Sequence, residues 1–215
     1  MSLEDRRRRH DRFFRQARER GFAARSVFKL EDLDRRFGLL RAGDRVLDLG
    51  CRPGSWLQYA VAAVGARGAV VGVDREPLPR PVPGARVVVG DALSVADADV
   101  RGELAAFDVV LSDMAPDTTG IRSADQARSA ALLDGALSRA ERLLVRGGRF
   151  AGKIFQGPEV EALRRRMAGR FADVRLVKPD ASRAASAEVY LVGVGFAPDA
   201  SAVPAGAPAP AARKR

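Results

Sequence analysis

The stretch Arg45-Val-Leu-Asp-Leu-Gly-Cys-Arg-Pro-Gly-Ser-Trp56 decides the fold of this 215-residue chain. It opens with a short apolar run typical of a buried strand, and glycine and proline then interrupt the run. The segment from Trp56 to Val64 is apolar again and predicts a helix. A strand, a glycine loop and a helix in this order form the first unit of a parallel sheet that helices cover.

The same alternation continues on both sides of this stretch. Upstream, apolar side chains at Val27, Leu30, Leu33 and Phe37 are spaced by three and four residues, which predicts a helix that ends at Gly38. Downstream, the pattern predicts strands at 69–74, 85–91, 107–113, 148–155, 174–177 and 188–196, and helices at 123–144 and 158–169. The last two strands are joined by a loop too short for a crossover helix, so we expect them to pair antiparallel. The fold class is therefore α/β, a mostly parallel sheet with helices on both faces.

Composition divides the chain into three parts. Residues 1–25 carry nine arginines and four acids and form a basic N-terminal arm. Residues 26–196 contain the alternating strands and helices and form one domain. Residues 197–215 are rich in alanine and proline, end in Arg-Lys-Arg and are expected to be a flexible basic tail.

The charge and the rare residues narrow the class of function. A net charge of +10 favours a polyanionic partner, and nucleic acid is the first expectation. One cysteine, Cys51, and one histidine, His10, exclude a disulfide framework and argue against a zinc or other metal site. No apolar run reaches the roughly 18 residues of a membrane helix, and the N-terminus has no apolar signal core. We expect a cytoplasmic protein without a membrane partner.

The glycine loop between the first strand and its helix has the spacing Gly50-x-x-x-Gly54. It lacks the G-x-G-x-x-G pattern of dinucleotide sites, which argues against an NAD-dependent oxidoreductase. It also lacks the Gly-Lys-Ser/Thr of a phosphate-binding loop. The loop therefore predicts a ligand without a phosphate group.

Acidic residues stand at three successive strand ends: Asp48, Asp74 and Asp91. An acid that ends the second strand can bind ribose hydroxyls, and one that ends the third can accept a hydrogen bond from an exocyclic amine. The three acids together suit S-adenosylmethionine, which carries a ribose, an adenine and cationic groups.

Lysine is rare in this chain, because only four of its 37 basic residues are lysines: Lys29, Lys153, Lys178 and Lys214. Lysine can lose its proton when its surroundings favour the neutral form, whereas arginine effectively cannot. Lys153 lies near the end of the predicted fifth strand, beside Asp113 at the end of the fourth. Composition alone leaves an ordinary salt bridge and a catalytic pair equally open.

The chain resembles the FtsJ/RrmJ family of ribosomal RNA 2′-O-methyltransferases. Five segments carry the resemblance and follow the family's order: Arg25-Ser-Val-Phe-Lys-Leu30, Asp48-Leu-Gly-Cys-Arg-Pro-Gly-Ser-Trp56, Ser112-Asp-Met-Ala-Pro116, Gly152-Lys-Ile-Phe-Gln-Gly157, and Lys178-Pro-Asp-Ala-Ser-Arg183 with Ala187-Glu-Val-Tyr190. The resemblance extends over about residues 12–196, nearly the whole chain, and five motifs in order are far more specific than any one of them.

The resemblance implies a Rossmann-like methyltransferase with seven strands, the last antiparallel, and S-adenosylmethionine as donor. It implies 2′-O-methylation of RNA, with a uridine of large-subunit ribosomal RNA as the expected acceptor. It also implies a Lys-Asp-Lys-Glu catalytic tetrad formed by Lys29, Asp113, Lys153 and Glu188. The expected cofactor-binding residues are Asp48, Gly50, Pro53, Gly54, Trp56, Asp74, Asp91 and Asp113.

The chain departs from the family pattern in the cofactor loop, where Cys51, Arg52 and Ser55 replace smaller residues. Arg52 is expected to place a cation beside the sulfonium and so to alter affinity. Tyr190 ranks low as a residue that places the substrate, because such a tyrosine is more often core.

Phosphate contacts are expected from the N-terminal arm, from Arg183 and, less strongly, from the arginines at 164–166. Transfer RNA remains open as the substrate, and so does a non-catalytic RNA-binding protein with a relic cofactor site. We expect a monomer.

Overall fold

Seven strands form one sheet in the computed structural model of the chain, which describes residues 12–182 and 186–198. The strands are β1 (Arg45–Leu49), β2 (Ala69–Asp74), β3 (Ala85–Val89), β4 (Phe107–Ser112), β5 (Leu144–Phe155), β6 (Phe171–Val177) and β7 (Glu188–Phe196). The helices are α1 (residues 12–19), α2 (Val27–Phe37), α3 (Ser55–Val64), α4 (Asp97–Arg101), α5 (Arg122–Leu143) and α6 (Val160–Ala168).

The strand order is β3-β2-β1-β4-β5-β7-β6. Strand β7 runs antiparallel to both of its neighbours, and the other strands are parallel to one another. The predicted fold class and the predicted antiparallel last pair are confirmed. The order reverses between β1 and β4, and in such sheets the ligand crevice lies outside the carboxyl ends of the strands at that point.

The burial of strand β1 explains why its sequence after Arg45 is mostly apolar, with Asp48 as the exception. Val46, Leu47 and Leu49 are fully buried, because the two faces of the strand pack against different helices. Leu47 and Leu49 join the core under α4, α5 and α6, whereas Val46 joins the core under α2 and α3. Full burial of one such side chain contributes about 1.5–3 kcal/mol. Together the two cores hold the crevice edge of the sheet in place.

The structure differs from the sequence prediction in three local features. Helix α4 has five residues, too few to show a helical period in the sequence. Strand β5 begins at Leu144, so it follows α5 directly, and its first residues pair irregularly with β4 around Phe107 and Val109. Strand β6 begins at Phe171, three residues earlier than predicted.

The described part of the N-terminal arm packs back onto α2. The rings of Phe13 and Phe28 lie 5.4 Å apart, and Arg20 Nη1 lies 2.9 Å from Glu31 Oε2. Residues 1–11, Arg183 and residues 199–215 lie outside the described residues, so the predictions for the arm's start, for Arg183 and for the tail remain predictions. Within the described ranges, no helix combines the length and apolar composition needed to cross a membrane.

Candidate active site

The glycine loop after β1 approaches the end of β4 closely. Gly50 has a φ of 78°, and a Cβ atom built on it would lie 2.6 Å from the Cγ atom of Met114. Gly54 has a φ of 108° and precedes the first residue of α3. Both positions therefore require glycine, the first for conformation and space and the second mainly for conformation.

A cavity of about 580 Å³ opens at this edge of the sheet, within the size range of small-molecule sites. Of the predicted cofactor residues, four line it: Gly50, Asp74, Asp91 and Asp113. The other four are not among its lining residues: Asp48, Pro53, Gly54 and Trp56. Trp56 is buried and donates its indole N–H to the carbonyl oxygen of Ser26 at 2.9 Å, so it joins α3 to the start of α2.

Asp74 ends β2 and is held by backbone N–H groups. Its Oδ2 accepts a hydrogen bond from the Arg52 N–H at 3.0 Å, and its Oδ1 accepts one from the Glu76 N–H at 3.2 Å. Each carboxylate oxygen can accept a second hydrogen bond. Asp74 is therefore oriented toward the cavity with capacity left for hydroxyl donors.

Asp91 follows β3 and is held in a similar way. Its Oδ1 accepts from the Leu93 N–H at 2.8 Å, and Arg75 lies 2.8 Å from its Oδ2. The Leu93 N–H and the Arg75 guanidinium lower the pKa of Asp91 from its ordinary value. At neutral pH the group is a carboxylate, an acceptor for an exocyclic amine.

Arg52 does not leave an isolated cation in the cofactor loop. Its guanidinium lies 2.6 Å from Glu76 Oε2, and both side chains are largely exposed. The pair is neutral overall and sits at the Asp74 end of the cavity, since the Arg52 N–H binds that residue. The positive charge that the sequence predicted beside the sulfonium, that of Arg52, is therefore neutralised by the carboxylate of Glu76.

Asp48 is the least satisfied group near the cavity. The residue is 1 % exposed, and neither of its carboxylate oxygens has a hydrogen-bond partner among the described residues. Burial, followed by the charges of Asp113 and Asp74, raises the pKa of Asp48 well above its ordinary value. A cationic ligand at the crevice would relieve this group, which fits the sulfonium and ammonium of S-adenosylmethionine.

The four residues of the predicted tetrad come together from four elements beside the cavity. Lys153 of β5 has its Nζ 3.0 Å from Oδ1 of Asp113, just after β4, and donates to the Asp113 main-chain oxygen at 2.6 Å. Lys29 of α2 has its Nζ 2.9 Å from Oε2 of Glu188, the first residue of β7. The site therefore consists of two neighbouring ion pairs.

The lysines keep both acids of the tetrad ionised. Burial raises the pKa of Asp113, but the ammonium groups of Lys153 and Lys29 and the Tyr190 hydroxyl lower it by more, so it lies below its ordinary value. Burial likewise raises the pKa of Glu188, and Lys29 and Lys153 more than offset the rise. The acids therefore act as fixed charges and acceptors near neutral pH.

Tyr190 belongs to this site, although the sequence analysis ranked it low. Its hydroxyl donates to Asp113 Oδ1 at 2.5 Å, and the Lys29 Nζ lies 6.0 Å from its ring centroid. Burial and then Asp113 raise the pKa of Tyr190 well above its ordinary value, so it remains a donor. The sequence contained a pattern that indicates this position, because Glu188 and Tyr190 are two residues apart on one strand and their side chains share a face of the sheet.

Comparisons with known proteins identify the family to which the chain belongs. The model of the FtsJ-like methyltransferases matches residues 22–196. The ribosomal RNA large subunit methyltransferase E of Sorangium cellulosum is 48% identical over 187 residues, 86% of this chain and 88% of that protein. The protein of the same name from Anaeromyxobacter dehalogenans is 44% identical over 209 residues, 95% of this chain and 76% of that protein.

Solved structures share the fold. A Plasmodium falciparum protein described as a ribosomal RNA methyltransferase superposes with a TM-score of 0.73 at 24% identity, over 81% of this chain and 98% of that one. Aeropyrum pernix fibrillarin, solved with S-adenosyl-L-methionine, superposes with a TM-score of 0.54 at 19% identity, over 79% and 76% of the two chains. With the family match over most of its length and relatives above 40% identity, the chain belongs to the FtsJ-like methyltransferase family.

Proposed function

We propose that this protein transfers the methyl group of S-adenosylmethionine to the 2′-hydroxyl of a ribose in large-subunit ribosomal RNA. The observation that carries the proposal is the pairing of Lys153 with Asp113 at the wall of the cofactor cavity. The relatives named ribosomal RNA large subunit methyltransferase E support ribosomal RNA over transfer RNA.

The cofactor-binding roles follow from the donors and acceptors at the cavity. Asp74 would accept from the ribose hydroxyls, and Asp91 would accept from the adenine amino group. Asp48 would face the cationic end, and Gly50 lets the backbone approach the ligand closely. The bound donor supplies an electrophilic methyl group on a sulfonium. Pro53, Gly54 and Trp56 shape the turn rather than contact the ligand.

Lys153 is the proposed general base. A ribose 2′-hydroxyl is a poor nucleophile until its proton leaves, and a neutral lysine Nζ can take that proton. Asp113 orients Lys153 by accepting from its Nζ at two oxygens, one in the carboxylate and one in the main chain. Lys29 and Glu188 would position the ribose hydroxyl. Alignment supplies much of the acceleration, because the donor is already activated.

The electrostatics favour an RNA substrate. The chain carries a net charge of +10, and arginines are spread over its surface. The run at 164–166 contributes less than its sequence suggests, because Arg164 pairs with Glu161 and Arg166 pairs with Asp134 and Glu141. The proposal includes a monomer that acts in the cytoplasm, where ribosomes are assembled.

A tritium-transfer assay tests the proposal. Large ribosomal subunits and transfer RNA, both from cells that lack the corresponding methyltransferase, are incubated with the protein and labelled S-adenosylmethionine. We expect label in the large subunits, retained in a nucleoside whose 2′-oxygen is methylated. Label in transfer RNA alone would show that transfer RNA, and not ribosomal RNA, is the substrate. Label in neither RNA would overturn the proposal.

A further inference from the structure

A second cavity, of about 330 Å³, adjoins the tetrad on the side of Glu188. It lies between the start of α5, the end of β5 and the start of β7, where Phe155 and Glu188 are partners across the antiparallel pair. Its lining includes Arg122, Asp125, Gln126, Phe155, Ser186 and Glu188. The tetrad therefore has a cavity on each side, with Asp113 lining the first and Glu188 lining the second.

One arginine at the second cavity, Arg122, is exposed and lacks an ion-pair partner among the described residues. Asp125 is occupied, since it accepts from the Thr119 N–H at 2.7 Å, the Thr119 hydroxyl at 2.9 Å and the Gly120 N–H at 3.2 Å. Glu188 is paired with Lys29. The guanidinium of Arg122 is therefore available to a phosphate, whereas Asp125 remains a carboxylate whose charge is held by neutral donors.

The wall of the cavity also offers an aromatic ring. Phe155 is only half-buried, although the neighbouring Ile154 is fully buried. The Gln126 side chain donates to the carbonyl oxygen of Gln156, which ties the start of α5 to the end of β5 and holds this wall together. A partly exposed ring next to a fixed polar wall and a cation is the combination that RNA-binding proteins use for an unstacked base and its phosphate.

We propose that the second cavity receives the acceptor nucleotide, with its base against Phe155 and its phosphate at Arg122. The inference rests on the proposed function and adds the residues that hold the nucleotide. A ribose between this cavity and the cofactor cavity would lie at the tetrad, so its 2′-hydroxyl would meet Lys153 from the side opposite the donor. A base must leave its stack to enter such a cavity, and the aromatic contact offsets part of that cost.

Four variants test the proposal on undermethylated large subunits. Phe155→Leu keeps apolar bulk and removes the ring, whereas Phe155→Tyr keeps the ring. Arg122→Gln removes the spare charge. Arg67→Gln is the matched control, because Arg67 is also an exposed arginine but precedes β2 at the opposite edge of the sheet. The measurements are kcat and KM for the subunits, the salt dependence of KM, and the affinity for S-adenosylhomocysteine.

The expected results distinguish the contact between Phe155 and the base from the contact between Arg122 and the phosphate. Phe155→Leu lowers kcat/KM about tenfold, the order expected for one base–aromatic stack, and Phe155→Tyr stays near the parent. Arg122→Gln raises KM severalfold and reduces the salt slope by about one, as the loss of one phosphate contact requires. Arg67→Gln changes neither, and all four variants bind S-adenosylhomocysteine like the parent.

Two outcomes would overturn the inference while the proposed function stands. In one, the parent methylates the subunits and Phe155→Leu matches Phe155→Tyr. In the other, Arg122→Gln matches Arg67→Gln. A parent that labels no RNA would instead overturn the proposed function itself. If Phe155→Leu fails to fold, the comparison of Arg122→Gln with Arg67→Gln still tests the inference, because both arginines are exposed.

Discussion

The Nζ atom of Lys153 makes two contacts with Asp113, at 3.0 Å to its carboxylate and at 2.6 Å to its main-chain oxygen. The ammonium group of Lys153 is therefore held by both the side chain and the main chain of one residue, Asp113. Such an anchor fixes the direction of the third N–H, or of the lone pair once the proton has left. It places Lys153 between the cofactor cavity and Glu188.

Replacement of Lys153 by arginine keeps the charge and removes the ability to accept a proton. We expect Lys153→Arg to lose about 10²–10⁴-fold in turnover, the usual contribution of a general base, with unchanged affinity for S-adenosylhomocysteine. Lys29→Arg should lose less, because Lys29 is proposed only to position the ribose. Single-turnover transfer assays measure both effects.

The control is Lys178→Arg, because the exposed Lys178 side chain donates to the Ser186 carbonyl oxygen, a bond that arginine can also make, and belongs to neither ion pair of the tetrad. Its turnover should equal that of the parent. Near-parental turnover of Lys153→Arg would show that Lys153 is an electrostatic anchor and that the proton goes elsewhere.

Asp48 should link the stability of the cofactor-free protein to pH. Because burial holds the pKa of Asp48 well above its ordinary value, the folded chain keeps a proton that the unfolded chain releases above about pH 4. The stability that this group contributes therefore falls as pH rises. Asp48→Asn has no such proton, so its melting temperature relative to the parent should rise between pH 4 and pH 7, by about 2–4 °C if the effect is about 1 kcal/mol.

The same variant should bind S-adenosylhomocysteine more weakly, since it lacks the proposed partner of the ammonium. Asp108→Asn is the control of opposite sign. Hydrogen bonding to Arg45 lowers the pKa of Asp108, so its contribution to stability is present above the unfolded pKa and lost as pH falls. Thermal unfolding across this pH range compares the two variants. A melting-temperature difference between Asp48→Asn and the parent that is the same at pH 4 and at pH 7 would contradict the expectation.

The fold could be predicted from the sequence because the central strands β1, β2 and β4 are buried along nearly their whole length and are therefore largely apolar in sequence. The stretch from Arg45 to Trp56 shows this at its clearest. Helix α4 was missed, because five residues contain little more than one turn. The early start of β5 was missed because its first residues are partly exposed and contain two glycines, a composition typical of a loop.

The members of the site were predictable from the family motifs, and the ends of adjacent strands predicted that Lys153 lies beside Asp113. The ion pair of Lys29 with Glu188 was not predicted. Lys153 pairs with Asp113 and Lys29 with Glu188, and these four residues come from elements far apart in the chain. Spacing along a chain carries no information about which acid a lysine meets across a sheet. The same limit explains Arg52, whose partner Glu76 lies beyond the next strand.

Tyr190→Phe tests the hydrogen bond that the sequence analysis undervalued. The change removes the donor to Asp113 Oδ1 and leaves the ring in place between Lys29 and Trp56. We expect turnover to fall about tenfold, since a hydrogen bond to a charged group contributes about 1.5–3 kcal/mol and Lys153 still holds Asp113. Affinity for S-adenosylhomocysteine should stay within about twofold, which calorimetry measures. If Tyr190→Phe has the turnover of the parent, the hydroxyl does not contribute to the reaction and Tyr190 is only a core residue.

Gly50 and Gly43 together separate backbone strain from steric conflict. Both have a positive φ, 78° and 87°, but a Cβ atom on Gly43 would meet nothing within 4 Å. Gly43→Ala should therefore cost about 1–2 kcal/mol from the left-handed backbone alone. Gly50→Ala adds the contact of 2.6 Å with Met114 Cγ, and such overpacking costs about 1–3 kcal/mol more.

Denaturant unfolding measures both losses of stability. Gly50→Ala alone should also weaken S-adenosylhomocysteine binding, because Met114 lines the cofactor cavity. In a double-mutant cycle, Met114→Ala should recover the extra loss of Gly50→Ala and leave the backbone cost. Equal losses for the two glycine variants would mean that the Met114 side chain moves aside freely, so that Gly50 is required for its conformation alone.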